Sequence, residues 1–109
     1  LFNSLPYALM NQQLFPNETI YCAKEYTTRY ATYLKTLSDQ EMASAFNQKV
    51  GIRYFNFAIQ GFMKALIHEM QQREIDFSAI KTSNGISWAN NIRIEDQVVK
   101  IQHAALINN

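Results

Sequence analysis

Residues 52–73, IRYFNFAIQGFMKALIHEMQQR, decide how this chain is read. Apolar side chains recur there at Ile52, Phe55, Ile59, Phe62, Leu66 and Met70, in steps of three and four that follow one face of an α-helix. The polar residues Arg53, Asn56, Gln60, Lys64, His68 and Gln71 gather into a narrow stripe. Phe57, Ala58, Met63, Ala65 and Ile67 leave most of the circumference apolar, and such a helix must be covered on several sides. Ala58, Gly61 and Ala65 form a flat strip of small residues, and a glycine inside a helix costs about 1 kcal/mol relative to alanine. The strip therefore predicts a close helix crossing, against the helix before it or against the same helix of a second copy.

Upstream, Ser4 and Pro6 open a short helix over about residues 4–14, which Pro16 ends. Asn17 caps a second helix, with Glu18 in its first turn, running to about residue 37. Its inward stripe is Ala23, Tyr26, Tyr30, Tyr33 and Leu37. The sequence Ser38-Asp39-Gln40-Glu41 is a capping box, and the helix it starts points Met42, Ala45, Phe46 and Lys49 or Val50 inward. Gly51 is the stop or hinge before the long helix.

Beyond residue 75 the pattern changes. Asp76 caps a single turn, and Thr82-Ser83-Asn84-Gly85 carries an Asn-Gly turn signal. Ile86-Ser87-Trp88, Ile92-Arg93-Ile94 and residues 98–101 alternate apolar and polar as strands of a small antiparallel meander would. A rival reading makes residues 95–107 a helix with two acids at its start and Val98, Ile101 and Ala105 on one face. The fold expected is α+β in one domain, residues 1–109. Three to four helices (about 4–74) pack around the long central helix at about 52–73, with a small C-terminal antiparallel β-meander or hairpin within about 85–103.

The 109 residues are 48% hydrophobic, enough for a core that buries roughly two-thirds of the unfolded surface. Only 17% are charged, and ten Asn with nine Gln supply the remaining polarity. A net charge of +1 with no basic run disfavours nucleic-acid binding through bulk charge. The lone Cys22 cannot close an internal disulfide, no run of about 18 apolar residues is present, and no leader pattern is seen. The expectation is a cytoplasmic protein that does not enter membranes.

Catalytic signatures fail in turn. His68-Glu69 matches half of a zinc-protease helix, but Gln72 stands where the second histidine belongs, and no metal is expected. Glycines at 51, 61 and 85 cannot form a phosphate loop, and there is no Gly-x-Ser-x-Gly elbow. Cys22, with His68 or His103 as base, is the remaining nucleophile and reads better as a structural thiol. No catalytic residue and no cofactor is expected.

The leading expectation is thus a binding or adaptor protein acting as a homodimer or on a protein partner, with Ala58, Gly61 and Ala65 as the dimer or helix-crossing contact. The second is a small-molecule binder or minor enzyme whose pocket lies between the tyrosine helix and the central helix. Tyr26, Tyr30, Tyr33, Arg53 and His68 would be its polar handles. The weakest is a DNA-binding regulator whose β-wing presents Arg93 and Lys100. Residues 77–81 are too short and too weakly basic to serve it as a recognition helix.

Overall fold

A computed structural model describes residues 23–102. The expected helix at 4–14, the start of the tyrosine helix, Cys22 and His103 lie outside the described residues. Within them the fold is α+β, with three helices and two small antiparallel strand pairs.

Helix α1, Ala23–Leu34, buries Ala23, Tyr30, Tyr33 and Leu34. It ends before residue 37 because the chain tightens: Thr36 N–H donates to the Tyr33 carbonyl and Leu37 N–H to the Leu34 carbonyl, three residues back instead of four. Helix α2, Asp39–Asn47, begins on the Ser38 capping box. Glu41 N–H donates to Ser38 Oγ at 3.1 Å, and Ser38 N–H donates to the Glu41 carboxylate at 2.9 Å. Lys49 then turns inward with no exposed surface, while Val50 is half-buried. Gly51, at φ +86°, supplies the left-handed residue that stops the run.

Helix α3, Phe57–Gln72, is shorter than the expected 52–73. Asn56 is extended and its side chain accepts from Ile59 N–H at 2.9 Å, so it caps the helix instead of joining it. Ile52 and Phe55, placed on the inward face by periodicity, therefore precede the helix in an irregular segment. The other end closes as a Schellman motif: Ile75 N–H reaches the Met70 carbonyl at 2.8 Å and Glu74 N–H the Gln71 carbonyl at 3.1 Å.

Arg73 joins the three helices. Its guanidinium donates to Glu69 (2.8 Å), to Asp39 at the head of α2 (2.9 Å), and to the Leu34 and Leu37 carbonyls past α1 (3.0 and 2.8 Å). Arg73 thus meets the C-terminal end of α1, while Gly61 meets Tyr26 near its start. Helices α1 and α3 consequently run in the same direction, and α2 lies on the return between them.

Past α3, Asp76 accepts from Ser78 N–H at 2.9 Å and holds one turn. Strands β1, Lys81–Thr82, and β2, Gly85–Ile86, form a hairpin over Ser83-Asn84. Strands β3, Ile92–Glu95, and β4, Val98–Ile101, form a second over Asp96-Gln97. Residues 86–88 do not continue into a three-stranded meander. After Ser87 N–H has paired with the Ile80 carbonyl, Trp88 stacks on Phe46 at 4.8 Å. Residues 98–101 are strand, not helix: Ile94 faces Val99 in register, and their apolar side chains are buried. Asp76 extends this pair by one parallel rung, donating to the Gln97 carbonyl and accepting from Val99 N–H, both at 2.8 Å.

Candidate contact surface

Of the three tyrosines of α1, Tyr30 and Tyr33 belong to the buried core and Tyr26 packs against it. Tyr26 is half-buried and stacks on Tyr30 (centroids 6.2 Å apart), and Tyr30 meets Phe62 edge-on at 5.2 Å, a favourable aromatic geometry. Burial, with Glu41 nearby, pushes the Tyr33 phenol up from its ordinary value. Arg53, in the irregular segment before α3, and His68, on α3, are exposed to solvent. The structure thus assembles Tyr26 and Tyr30 with Phe62, and leaves Arg53 and His68 at the surface.

Ala58, Gly61 and Ala65 are all buried within the single chain. A side-chain carbon added at Gly61 would fall against Tyr26 Cβ and 2.8 Å from the Thr27 backbone nitrogen. The strip of small residues lets α1 and α3 approach backbone to backbone, and at that crossing the two helices leave no room between them. A similar approach holds the first hairpin down: a carbon added at Gly85 would meet Met63 Sδ at 2.5 Å.

The segment between α2 and α3 carries what the periodicity hid. Tyr54, Phe55 and Phe57 are each more than half exposed, at 56%, 55% and 52%, and Arg53 beside them is exposed as well. Three large exposed aromatic side chains within four residues of sequence are the kind of apolar exposure that marks contact sites. The signal that could have revealed it was Asn56. An asparagine three residues before Ile59 is an N-cap, and a cap there releases every residue before it from the helical face.

On another side, an open groove of about 360 Å³ runs between α2 and β3, lined by Gln40, Ser44, Asn47, Arg93, Glu95 and Gln102 among others. Arg93 and Lys100 both reach Glu95, at 3.2 and 3.4 Å. Lys100 foremost, with Arg93, holds the Glu95 carboxyl below its usual range. The two cations of the expected wing thus share one carboxylate, which lowers the net charge that hairpin can offer a phosphate backbone.

Among the described residues no group of three or more His, Cys, Asp or Glu side chains could hold a metal ion, and no helix is long and apolar enough to cross a membrane. No family model matches the chain, and comparisons with curated proteins and with solved structures find no match either.

Proposed function

We propose that this chain is a non-enzymatic binding or adaptor protein that works through a second copy of itself, using the aromatic segment at residues 54–57 as the contact. The observation that carries the reading is the exposure of Tyr54 and Phe55, between Gly51 and the Asn56 cap, and of Phe57, the first residue of α3. Burying those rings is worth roughly 1.5–3 kcal/mol per fully enclosed side chain. A net charge of +1 puts little repulsion between like chains. A two-fold pair would set the same segment against itself, the commonest form of closed association.

Native mass spectrometry with light scattering tests this on the wild type and on a Tyr54→Ser, Phe55→Ser, Phe57→Ser triple variant. The expected result is a wild-type dimer and a monomeric variant with unchanged circular dichroism. A wild-type monomer, or a variant that still pairs, overturns the reading.

A second reading, small-molecule binding, draws support from the groove between α2 and β3. A polar ligand there would shift the amide resonances of Ser44 and Arg93, and a ligand that shifts neither binds elsewhere.

A further inference from the structure

The second hairpin has an edge that α2 covers only in part. Val99 N–H donates to the Asp76 carbonyl, on the side of β4 away from β3, and Gln102 N–H donates to the Asn91 carbonyl across the pair. Peptide groups alternate in direction along an antiparallel strand, so Ile92 and Ile94, opposite Ile101 and Val99, turn their N–H and C=O groups away from β4. The Asn47 amide takes both groups of Ile92. Ile94, about 7 Å further along the strand, has no hydrogen-bond partner in that direction among the described residues, and it lines the groove between α2 and β3.

Two features say what fits there. First, the edge already holds an amide, since Asn47 offers Ile92 the acceptor and the donor of a peptide group. An extended chain presents such groups to one neighbour at every second residue, the interval that separates Ile92 from Ile94. A chain laid past Asn47 therefore brings a peptide group to Ile94, with Gln40, Ser44 and Gln102 lining the rest of the groove. Second, the α2 wall, Gln40, Ala43, Ser44 and Asn47, is uncharged, whereas beside Ile94 the cations of Arg93 and Lys100 share the single carboxylate of Glu95. The surplus positive charge favours a ligand that brings a carboxylate. A second copy is disfavoured at this edge, because its β3 would bring the same surplus against this one.

We propose that the β3 edge at Ile94 docks an extended peptide segment of another protein, one that carries an acidic side chain, as an added strand held by main-chain hydrogen bonds. This deepens the reading of the groove between α2 and β3 as a ligand site and draws nothing from residues 54–57.

Selection of a phage-displayed library of random linear peptides on the full chain tests it. Enriched peptides should carry Asp or Glu, and a synthetic copy of one should shift the Ile94 amide resonance and slow its hydrogen exchange. Methylating the backbone nitrogens of that peptide one at a time should weaken binding roughly tenfold at one position, where the donor to Ile94 is lost. Arg93→Gln should weaken it roughly two- to five-fold. Ser44→Trp, at an exposed α2 position that lines the groove, should abolish binding with circular dichroism unchanged, and should that variant fail to fold, the methylated series on the wild type decides. The proposal is overturned if no peptide is enriched, if every methylated peptide binds as well as the parent, or if the Ile94 resonance moves with protein concentration alone, which would put a second copy on the edge. A peptide that shifts Ser44 and Arg93 but not Ile94 also overturns the added strand, while leaving the groove a ligand site.

Discussion

Asn47 and Ile92 pair as neighbours in a sheet do, although Asn47 belongs to a helix. Asn47 Oδ1 accepts from Ile92 N–H at 2.7 Å, and its Nδ2 donates to the Ile92 carbonyl at 2.9 Å. A side-chain amide carries the same donor and acceptor as a peptide group, so it covers one rung on the outer edge of β3 and ties α2 to the second hairpin. Asn47→Ala leaves both backbone groups of Ile92 without that partner in a part-buried place. We expect a loss of about 1–3 kcal/mol in urea unfolding, and an unchanged midpoint would show that the pairing contributes nothing.

Arg73 should tolerate no conservative replacement. Its planar fork reaches two carboxylates and two carbonyls at once, which the single ammonium of Arg73→Lys cannot span. We expect Arg73→Lys to lose about 2 kcal/mol in guanidinium unfolding. Arg73→Ala should lose about 3 kcal/mol or more, because the buried Glu69 then keeps only Lys35, at 3.7 Å. Equal stability of wild type and Arg73→Lys would contradict the shared role.

Gly61→Ala sets helix propensity against packing. Alanine gains about 1 kcal/mol in a helix interior, whereas forcing a carbon onto the Thr27 backbone costs about 1–3 kcal/mol because main chain cannot move aside as a side chain does. Packing should win, with Gly61→Leu worse than Gly61→Ala in thermal melts. A stabilised Gly61→Ala would mean that α1 and α3 lie further apart.

Glu74 marks the opposite opportunity. It holds φ +58° at the position after the α3 cap where glycine is usual, and its side chain is exposed. Glu74→Gly should relieve about 1–2 kcal/mol of left-handed strain and return part of it as unfolded-chain entropy. A rise of roughly 0.5–1 kcal/mol in unfolding free energy is expected, and a lower melting temperature would disprove the cap.

Stability should climb with pH above neutrality. Lys49 stands at about 7 in the folded chain against 10.5 for an ordinary lysine, so between these values the unfolded chain holds a proton that the folded one has released. The folded state gains up to about 1.4 kcal/mol per pH unit there, whereas below about pH 7 both states bind the proton and the whole cost of burial is present. Tyr33 acts in the other sense, since its raised phenol favours the unfolded chain once pH passes 10.0, which ends the climb. Urea midpoints at about pH 7, 8 and 9 should rise in the wild type and stay level in Lys49→Met, and parallel behaviour of the two would refute the linkage.

Sequence and structure agree where the instruction is local. The Ser38 box, the Gly51 stop, the Asp76 turn and the turn at Asn84 each involve groups only a few residues apart, so the chemistry that forms them can be read from neighbours in the chain. The spacing of one helix offered Lys49 or Val50 as its last inward residue, and the structure buries Lys49. Periodicity misled at Ile52 and Phe55, because a spacing of three and four continues through a cap without registering it. The exposure of Tyr54, Phe55 and Phe57 was missed with them.

What the sequence alone determined is therefore the class of the fold and part of its punctuation: helices first, an Asn-Gly turn signal after residue 80, and a small-residue strip demanding a close neighbour. Only the tertiary structure decided which neighbour that is, α1 at Tyr26 and Thr27, and how Arg73 and Asn47 stitch distant segments together. The reason is physical. Caps and turns are settled by bonds within a few residues, whereas the long-range partners of Gly61, Arg73 and Asn47 stand 34 to 45 positions away and are chosen by the packing of the whole core.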